Sequence, residues 1–297
     1  MNQITSLRTQ KIIIVLTAAL ASFFSMEAAS KALGSFQIPS FAAITFYGYI
    51  FLVLWQIFIF DLHLKASSLA GFERTLTQSI KGRFGYMANF RHFLHFLNYL
   101  ILPTIIYGFT AAILFINPFD QVIKQAFVVG TTLALTLSFW YLKTVFLAHA
   151  GANKPTKQLI FLAKLYASFV AFTAAFGLTR HFGYEAEVFV LLVFCVTFLL
   201  FYQALFQHHS TSVRMIKFPF LTGVILGAIA YFIFLFWNVN YFSGALVLTA
   251  VYNTIWGIVH HKLIDKNLTR EMVYEYLAVL FVILVIVIGS TNFAQKI

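Results

Sequence analysis

The run YFSGALVLTAVYNTIWGIVHH, residues 241–261, is followed at once by the polar segment KLIDKN, residues 262–267. The run contains no Asp, Glu, Lys or Arg, and as an α-helix it would be about 32 Å long at ~1.5 Å per residue. A bilayer core is about 30 Å thick and offers no water to unpaired backbone groups. The sequence therefore predicts that this run crosses a membrane as a helix.

Eight further apolar runs of similar length lie along the chain. Hydrophobic residues make up 61% of the sequence and charged residues only 10%, whereas soluble domains are about a quarter charged. These features predict an all-α, polytopic membrane helix bundle that forms a single integral membrane domain over residues 1–297. The nine predicted transmembrane helices cover roughly 11–33, 41–60, 95–116, 125–148, 158–179, 185–207, 218–237, 241–261 and 272–292.

The basic residues divide unevenly between the two sides of this predicted bundle. Of the 20 Lys and Arg residues, only Lys31, Lys124, Arg180 and Lys296 fall on one side, and all others fall on the opposite side. Loops on the cytoplasmic side of a membrane are enriched in Lys and Arg. We therefore expect the N-terminus inside, the C-terminus outside and a location in the inner (cell) membrane. The net charge of +11 fits this membrane face and does not call for a nucleic-acid partner.

The one long connection has a helical pattern of its own. Apolar residues recur there every three or four positions, at Leu69, Phe72, Leu76, Ile80 and Phe84. Basic residues lie between them. This pattern predicts an interfacial amphipathic helix over residues 62–84, with its basic side chains near anionic lipid headgroups. A loop helix without a lipid role is the alternative.

Eight of the nine histidines fall on the predicted cytoplasmic face, and only His181 falls on the other. His92 and His95 are three residues apart, so both lie on one face of a helix and could share a metal ion. Neutral imidazoles with a carboxylate and open positions suit non-haem iron, and also zinc. The alternative is an ordinary interfacial role for these amphipathic side chains. The predicted metal ligands are His92, His95, His149, His208, His209, His260 and His261.

Two acidic residues are candidates for the same site. Asp265 follows His260 by five residues, and an acid beside a ligand histidine can bind the metal or fix the tautomer of the imidazole. Glu275 lies deeper in the last span than Glu271 and could face the histidines. We therefore predict catalytic roles for Asp265 and Glu275.

Other polar residues inside the predicted spans favour structural roles. Glu27 and Lys31 are four residues apart and can pair with each other near a helix end. Asn98, Gln203 and Asn253 are expected to form hydrogen bonds between helices.

Three segments carry a resemblance to a known family. His260 and Asp265 stand in the run Val259–Asp265, His208 and His209 follow Gln207, and His95 precedes Phe96. This layout resembles the late P-H-x-x-x-x-D, the H-x-x-x-H and the H-F-G-x-x-D segments of the Brp/Blh-type β-carotene dioxygenases. These are integral membrane, iron-dependent enzymes that cleave carotene to retinal. The resemblance implies that His260 is an iron ligand and that one of His208 and His209, together with His95, belongs to the same site. It also implies Fe(II) as the cofactor.

The chain also departs from that family. Its early P-H-G-x-x-D segment is absent, since the first two spans offer only His63 and Asp61. Asn98 stands near the position where an acid would be expected.

The plan of nine spans, with the N-terminus in and the C-terminus out, resembles the UbiA-type prenyltransferases. Their two aspartate-rich motifs would fall on the connections after spans 2 and 6. This chain has Asp61 and Glu73 on the first of these and no acid on the second, and it contains no D-x-x-D pair. The usual Mg²⁺–diphosphate clamp, which needs clustered carboxylates, is therefore not expected.

The sequence thus predicts an integral membrane, histidine-coordinated iron oxygenase that acts with O₂ on an apolar lipid or carotenoid substrate. The alternatives are a non-enzymatic multi-pass protein, either a transporter or an assembly factor, and a divergent UbiA-like prenyltransferase that lacks the aspartate motifs. The expected partners are membrane lipid and an apolar small molecule, and the sequence does not indicate an oligomeric state.

Overall fold

A computed structural model describes residues 2–32, 38–65, 90–117, 119–147, 154–207, 215–237 and 240–291. Regular structure in these ranges is all helical, as the sequence predicts, and they contain no strand. The α-helices of the described ranges are α1 (Asn2–Ala32), α2 (Ile38–Lys65), α3 (Phe90–Ile116), α4 (Gln121–Leu147), α5 (Lys154–His181), α6 (Ala186–Gln207), α7 (Lys217–Phe236), α8 (Tyr241–His260) and α9 (Arg270–Ser290).

Each predicted span coincides with one of these helices. Within the described ranges, six helices, α4 to α9, contain a segment that is long and apolar enough to cross a membrane. The apolar segments Ser40–Gln56 of α2 and Leu100–Ile116 of α3 are shorter. An all-helical chain with several such helices is what a multi-pass membrane protein requires. The predicted amphipathic helix over 62–84 lies outside the described residues beyond Lys65, where α2 ends.

The chain forms two compact units, Met1–Ala163 and Lys164–Ile297. The prediction of one membrane domain over residues 1–297 stays a prediction. In the first unit, α1 packs against α2 and α4, and α3 packs against α4.

Buried hydroxyl groups connect α1, α2 and α3 in the first unit. The Ser25 hydroxyl donates to the Tyr107 hydroxyl at 3.2 Å and lies 3.1 Å from the carbonyl oxygen of Gly48. A Cβ on Gly48 would lie only 3.1 Å from the Tyr107 hydroxyl oxygen, so the absence of a side chain gives this network its room. Hydrogen bonds and small residues of this kind hold helices together in membranes, where apolar surfaces gain little from meeting.

The predicted pair of Glu27 and Lys31 is confirmed. Lys31 Nζ lies 3.2 Å from one carboxylate oxygen of Glu27, and the amide of Gln125 on α4 donates to the other at 2.9 Å. The carboxylate therefore joins α1 to α4, which favours the structural role.

The second unit has its most buried membrane segment in α5. There, 67% of an 18-residue apolar window within Leu159–His181 is buried, against 6% of the corresponding window in α9. Small residues at helical spacing, such as Ala167, Ala171 and Ala175, are fully buried and allow neighbouring helices to come close. Large aromatic rings fill the spaces beside them, as where Phe176 stacks on Phe189 of α6 at 4.6 Å.

Arg180 closes one end of this aromatic packing. Its guanidinium lies 4.1 Å from the ring centroid of Phe234, and Nη2 donates to the carbonyl oxygen of the same residue at 2.7 Å. Phe234 stands in the last turn of α7, where carbonyl groups lack helical partners and attract cations. Arg180 thus connects the end of α5 to the end of α7.

Candidate functional site

The end of α8 is irregular where the histidine pair lies. Asn240 caps the start of this helix, where its side chain accepts from the backbone N–H of Phe242 at 2.8 Å, and the helix ends at His260. The chain then continues as a π turn over His261–Asp265, which is closed when the N–H of Lys266 donates to the carbonyl of His261. Lys266 adopts the left-handed conformation with φ 54°, and this ends the turn. Such π turns are rare and are frequent at functional sites.

The imidazole of His261 is held by a tyrosine from the next helix. Its Nε2 lies 3.2 Å from the hydroxyl oxygen of Tyr276 on α9. The Tyr276 ring reaches this position because it crosses Gly257 of α8, where a Cβ would lie 2.6 Å from the ring carbon Cζ. A hydrogen bond to one ring nitrogen selects the tautomer and leaves the other nitrogen to any further partner. The structure thus orients His261 through two helices.

His260 stands beside His261 and faces a tryptophan. The centroids of the two imidazole rings are 5.7 Å apart, with an angle of 87° between the rings. The His260 ring lies 5.5 Å from that of Trp256, one helical turn earlier. Both histidines are half-buried, so the pair can be reached from the surface of the unit while it contacts the core.

Aromatic side chains continue from Trp256 into the core of the second unit. The ring of Phe201 on α6 meets the Trp256 ring edge to face at 5.1 Å and contacts Tyr252 at 6.4 Å. Phe172 of α5 meets Tyr252 at 6.2 Å. Three helices therefore meet in apolar rings immediately behind the histidine pair.

A lysine is buried at the same tryptophan. Lys164 is only 6% exposed, and its Nζ lies 5.4 Å from the centroid of the Trp256 ring. It is the sixth residue of the membrane segment Leu159–His181, about 7.5 Å along the helix from the start of that segment. Taking an ammonium group out of water costs several kcal/mol, and a ring face offsets only about 0.5–2 kcal/mol of this.

The same end of the unit contains a second polar group without a described partner. In the described part of the chain, no acidic group lies within ion-pair distance of the Lys164 amine. Gln203 of α6 is 2% exposed, and its Oε1 has no hydrogen-bond partner there. Gln203 follows Phe201 by two residues, and Phe201 contacts Trp256, so both polar groups belong to the same end of the unit.

The structure brings together only part of the predicted site. His260 and His261 are adjacent, whereas Glu275 has an exposed side chain on α9. His92 and His95 lie in α3 and Asp265 lies in the π turn, but their side chains are outside the described residues. His149, His208 and His209 are outside them altogether. The roles predicted for these residues stay predictions.

The described residues contain no group of three His, Cys, Asp or Glu side chains that could hold a metal ion. They supply two imidazoles at one place, and His261 already has one nitrogen engaged by Tyr276. A complete metal site would need a third ligand from the residues just named. Imidazole donors fit a metal such as iron or zinc. Two of them, however, are too few to complete a metal site within the described residues.

Sequence reasoning found the histidine pair and missed the lysine beside it. In the distribution of basic residues, Lys164 is only one of the sixteen Lys and Arg residues on the predicted cytoplasmic side. The available signal was a lone Lys inside the apolar run 159–179, since ionisable residues within membrane segments indicate function by default. Asn253, which is expected to form hydrogen bonds between helices, donates its amide to the Thr249 carbonyl of its own helix at 2.8 Å, and the expectation stays a prediction.

Most of the chain matches one protein family. Residues 44–290, which cover α3 to α9, the greater part of α2 and the whole candidate site, match the family model described as "Protein of unknown function (DUF5656)". No curated protein and no solved structure matches the chain. The protein belongs to the DUF5656 family.

Proposed function

We propose that this protein is an integral membrane enzyme that binds Fe(II) through His260 and oxidises an apolar lipid or carotenoid with O₂. The main support is the adjacent pair His260 and His261, whose rings are 5.7 Å apart at a π turn. The order of histidine segments that resembles the Brp/Blh-type β-carotene dioxygenases points the same way. In this proposal His208 or His209 supplies a further ligand.

The chain's own residues would orient and enclose the reacting groups. Tyr276 holds His261 through a hydrogen bond at Nε2. Hydrogen-bond partners of this kind commonly fix the orientation of histidines in metal sites. The rings of Trp256, Phe201 and Tyr252 form an apolar wall that excludes water and suits a hydrocarbon substrate. An iron(II) ion would supply the redox chemistry, and addition of one O₂ across a cleaved double bond gives two carbonyl groups without an external reductant.

The orientation of the protein is part of the same proposal. Nine spans, with the N-terminus inside and the C-terminus outside the cell membrane, put the end of α8 at the cytoplasmic face. Alkaline phosphatase fused after residue 297 should then be active, because this enzyme works only outside the cytoplasm. A fusion after residue 267, between α8 and α9, should be inactive. Activity in the opposite pattern would reverse the orientation.

Metal analysis tests the proposed chemistry directly. The full chain is purified in detergent without oxygen, incubated with Fe(II), freed of excess metal and measured for iron and for oxygen uptake with a carotenoid. We expect His260→Ala to lose most bound iron and oxygen uptake. His181→Ala is the matched control. Like His260, His181 is the last residue of a helix, but its side chain is exposed, and it lies at the end of α5 that is distant from Lys164. Equal iron content and equal uptake in wild type and His260→Ala would refute the proposal and favour a non-enzymatic membrane protein.

A further inference from the structure

The buried Lys164 is not used by the proposed iron chemistry. It lies inside a membrane segment, is 6% exposed and has the face of Trp256 as its described contact. Intramembrane cations are costly and are normally paired with an anion or placed in a pathway for a charged ligand. The described residues around it provide no such anion.

We propose that Lys164 binds the oxyanion of a membrane amphiphile, either the carboxylate of a fatty acid or the phosphate of a lipid. The amine supplies three donors and a positive charge for the oxyanion. The adjoining rings of Trp256 and Phe201 provide apolar surface for the hydrocarbon part of the same molecule. Cation and apolar wall together match a ligand that has one charged end and one long apolar end.

Lys164 is more than nine-tenths buried, so the bound oxyanion would be screened from water and from competing salt.

Two lysines of the chain allow a matched experiment. Lys164→Met replaces the buried amine by an apolar side chain of similar length, and such a change is commonly neutral or stabilising for folding. Lys164→Arg keeps the charge. Lys217 provides the control, because its Nζ also lies over a ring, 5.5 Å from the centroid of Phe218, but its side chain is exposed.

Binding is measured on the full chain in detergent after removal of metal by a chelator, so the result does not depend on the iron proposal. The probe is 9,10-dibromostearate, whose bromine atoms quench tryptophan fluorescence, and a Trp256→Phe variant identifies the part of the signal that comes from Trp256. Dibromostearate methyl ester has the same chain without the charge. Lysophosphatidic acid, stearate and inorganic phosphate are added as competitors.

We expect the apparent Kd for dibromostearate to rise at least tenfold in Lys164→Met and to stay within twofold of wild type in Lys164→Arg and Lys217→Met. The affinity of wild type for the uncharged methyl ester should not exceed the affinity of Lys164→Met for the acid, because each combination lacks one partner of the ion pair. Stronger competition by lysophosphatidic acid than by stearate would assign a lipid phosphate, and competition by inorganic phosphate alone would overturn the amphiphile in favour of a free oxyanion. Equal binding of acid and ester, or equal binding by wild type and Lys164→Met, would overturn the proposal.

Discussion

Gly257→Ala is expected to weaken the contact between α8 and α9 and to release His261. The new methyl carbon would lie 2.6 Å from Cζ and 2.9 Å from the hydroxyl oxygen of Tyr276, whereas carbon atoms in contact prefer about 3.5–4.0 Å. The ring of Tyr276 must move by roughly 1 Å. Its hydrogen bond to Nε2 of His261, 3.2 Å long, is then lost.

The size of the effect follows from three contributions. Overpacking costs about 1–3 kcal/mol, and loss of the hydrogen bond costs about 1 kcal/mol. Alanine offsets about 1 kcal/mol through its higher helix propensity than glycine. We therefore expect the free energy of unfolding to fall by roughly 2 kcal/mol.

Unfolding in mixed detergent micelles, followed by circular dichroism, measures this loss. Gly289→Ala is the control, because a Cβ there meets nothing within 4 Å, and it should be neutral or slightly stabilising. In a Tyr276→Ala background, Gly257→Ala should no longer destabilise, which gives a coupling energy between the two positions. A single Gly257→Ala variant as stable as wild type would refute the packing argument.

Substitutions at three further contacts are tested by the same unfolding measurement. Glu27→Ala should cost about 1–2 kcal/mol because Lys31 and Gln125 lose the carboxylate that they share. Lys31→Ala should cost less than about 0.5 kcal/mol because the Lys31 side chain is 75% exposed. Tyr107→Phe should cost about 1 kcal/mol through the lost hydrogen bond from Ser25; no change would show that the hydroxyl pair is not stabilising. Arg180→Met should cost about 1–2 kcal/mol because a helix end loses its charged donor, and an equal cost for Arg180→Lys, which keeps the charge, would mean that the guanidinium contacts and not the positive charge matter.

Helix positions in this chain could be predicted from sequence because the lipid core requires long apolar helices. Spans predicted at 218–237 and 241–261 are observed as Lys217–Phe236 and Tyr241–His260, since Asn238 and Asn240 interrupt the apolar pattern between them. The first span was expected to begin at residue 11, whereas α1 begins at Asn2. Hydrophobicity marks the part of a helix suited to lipid, and a polar extension of the same helix leaves no such mark.

The candidate site was only partly predictable, for reasons that concern tertiary structure. A regular helix was expected through His260, and the π turn depends on a backbone hydrogen bond shifted by one residue, which no single residue type dictates. Burial of Lys164 and its contact with Trp256 require α5 and α8 to pack at one particular register. Sequence spacing within one helix does not contain that register.

The π turn changes the meaning of the five-residue spacing between His260 and Asp265, and deletion of one residue tests whether that matters. Residues five apart lie about 140° apart around an α-helix, whereas the i to i+5 hydrogen bond of a π turn places such positions nearly one above the other. Deleting Lys262, whose side chain is exposed, should restore an α-helical register with a melting temperature within a few degrees of wild type. The deletion leaves His260 and Asp265 four residues apart, a separation that keeps both on one face of an α-helix. If they act together on iron, the deletion variant should therefore keep its iron, whereas Asp265→Ala should lose it. Undiminished iron in Asp265→Ala would remove Asp265 from the proposed site.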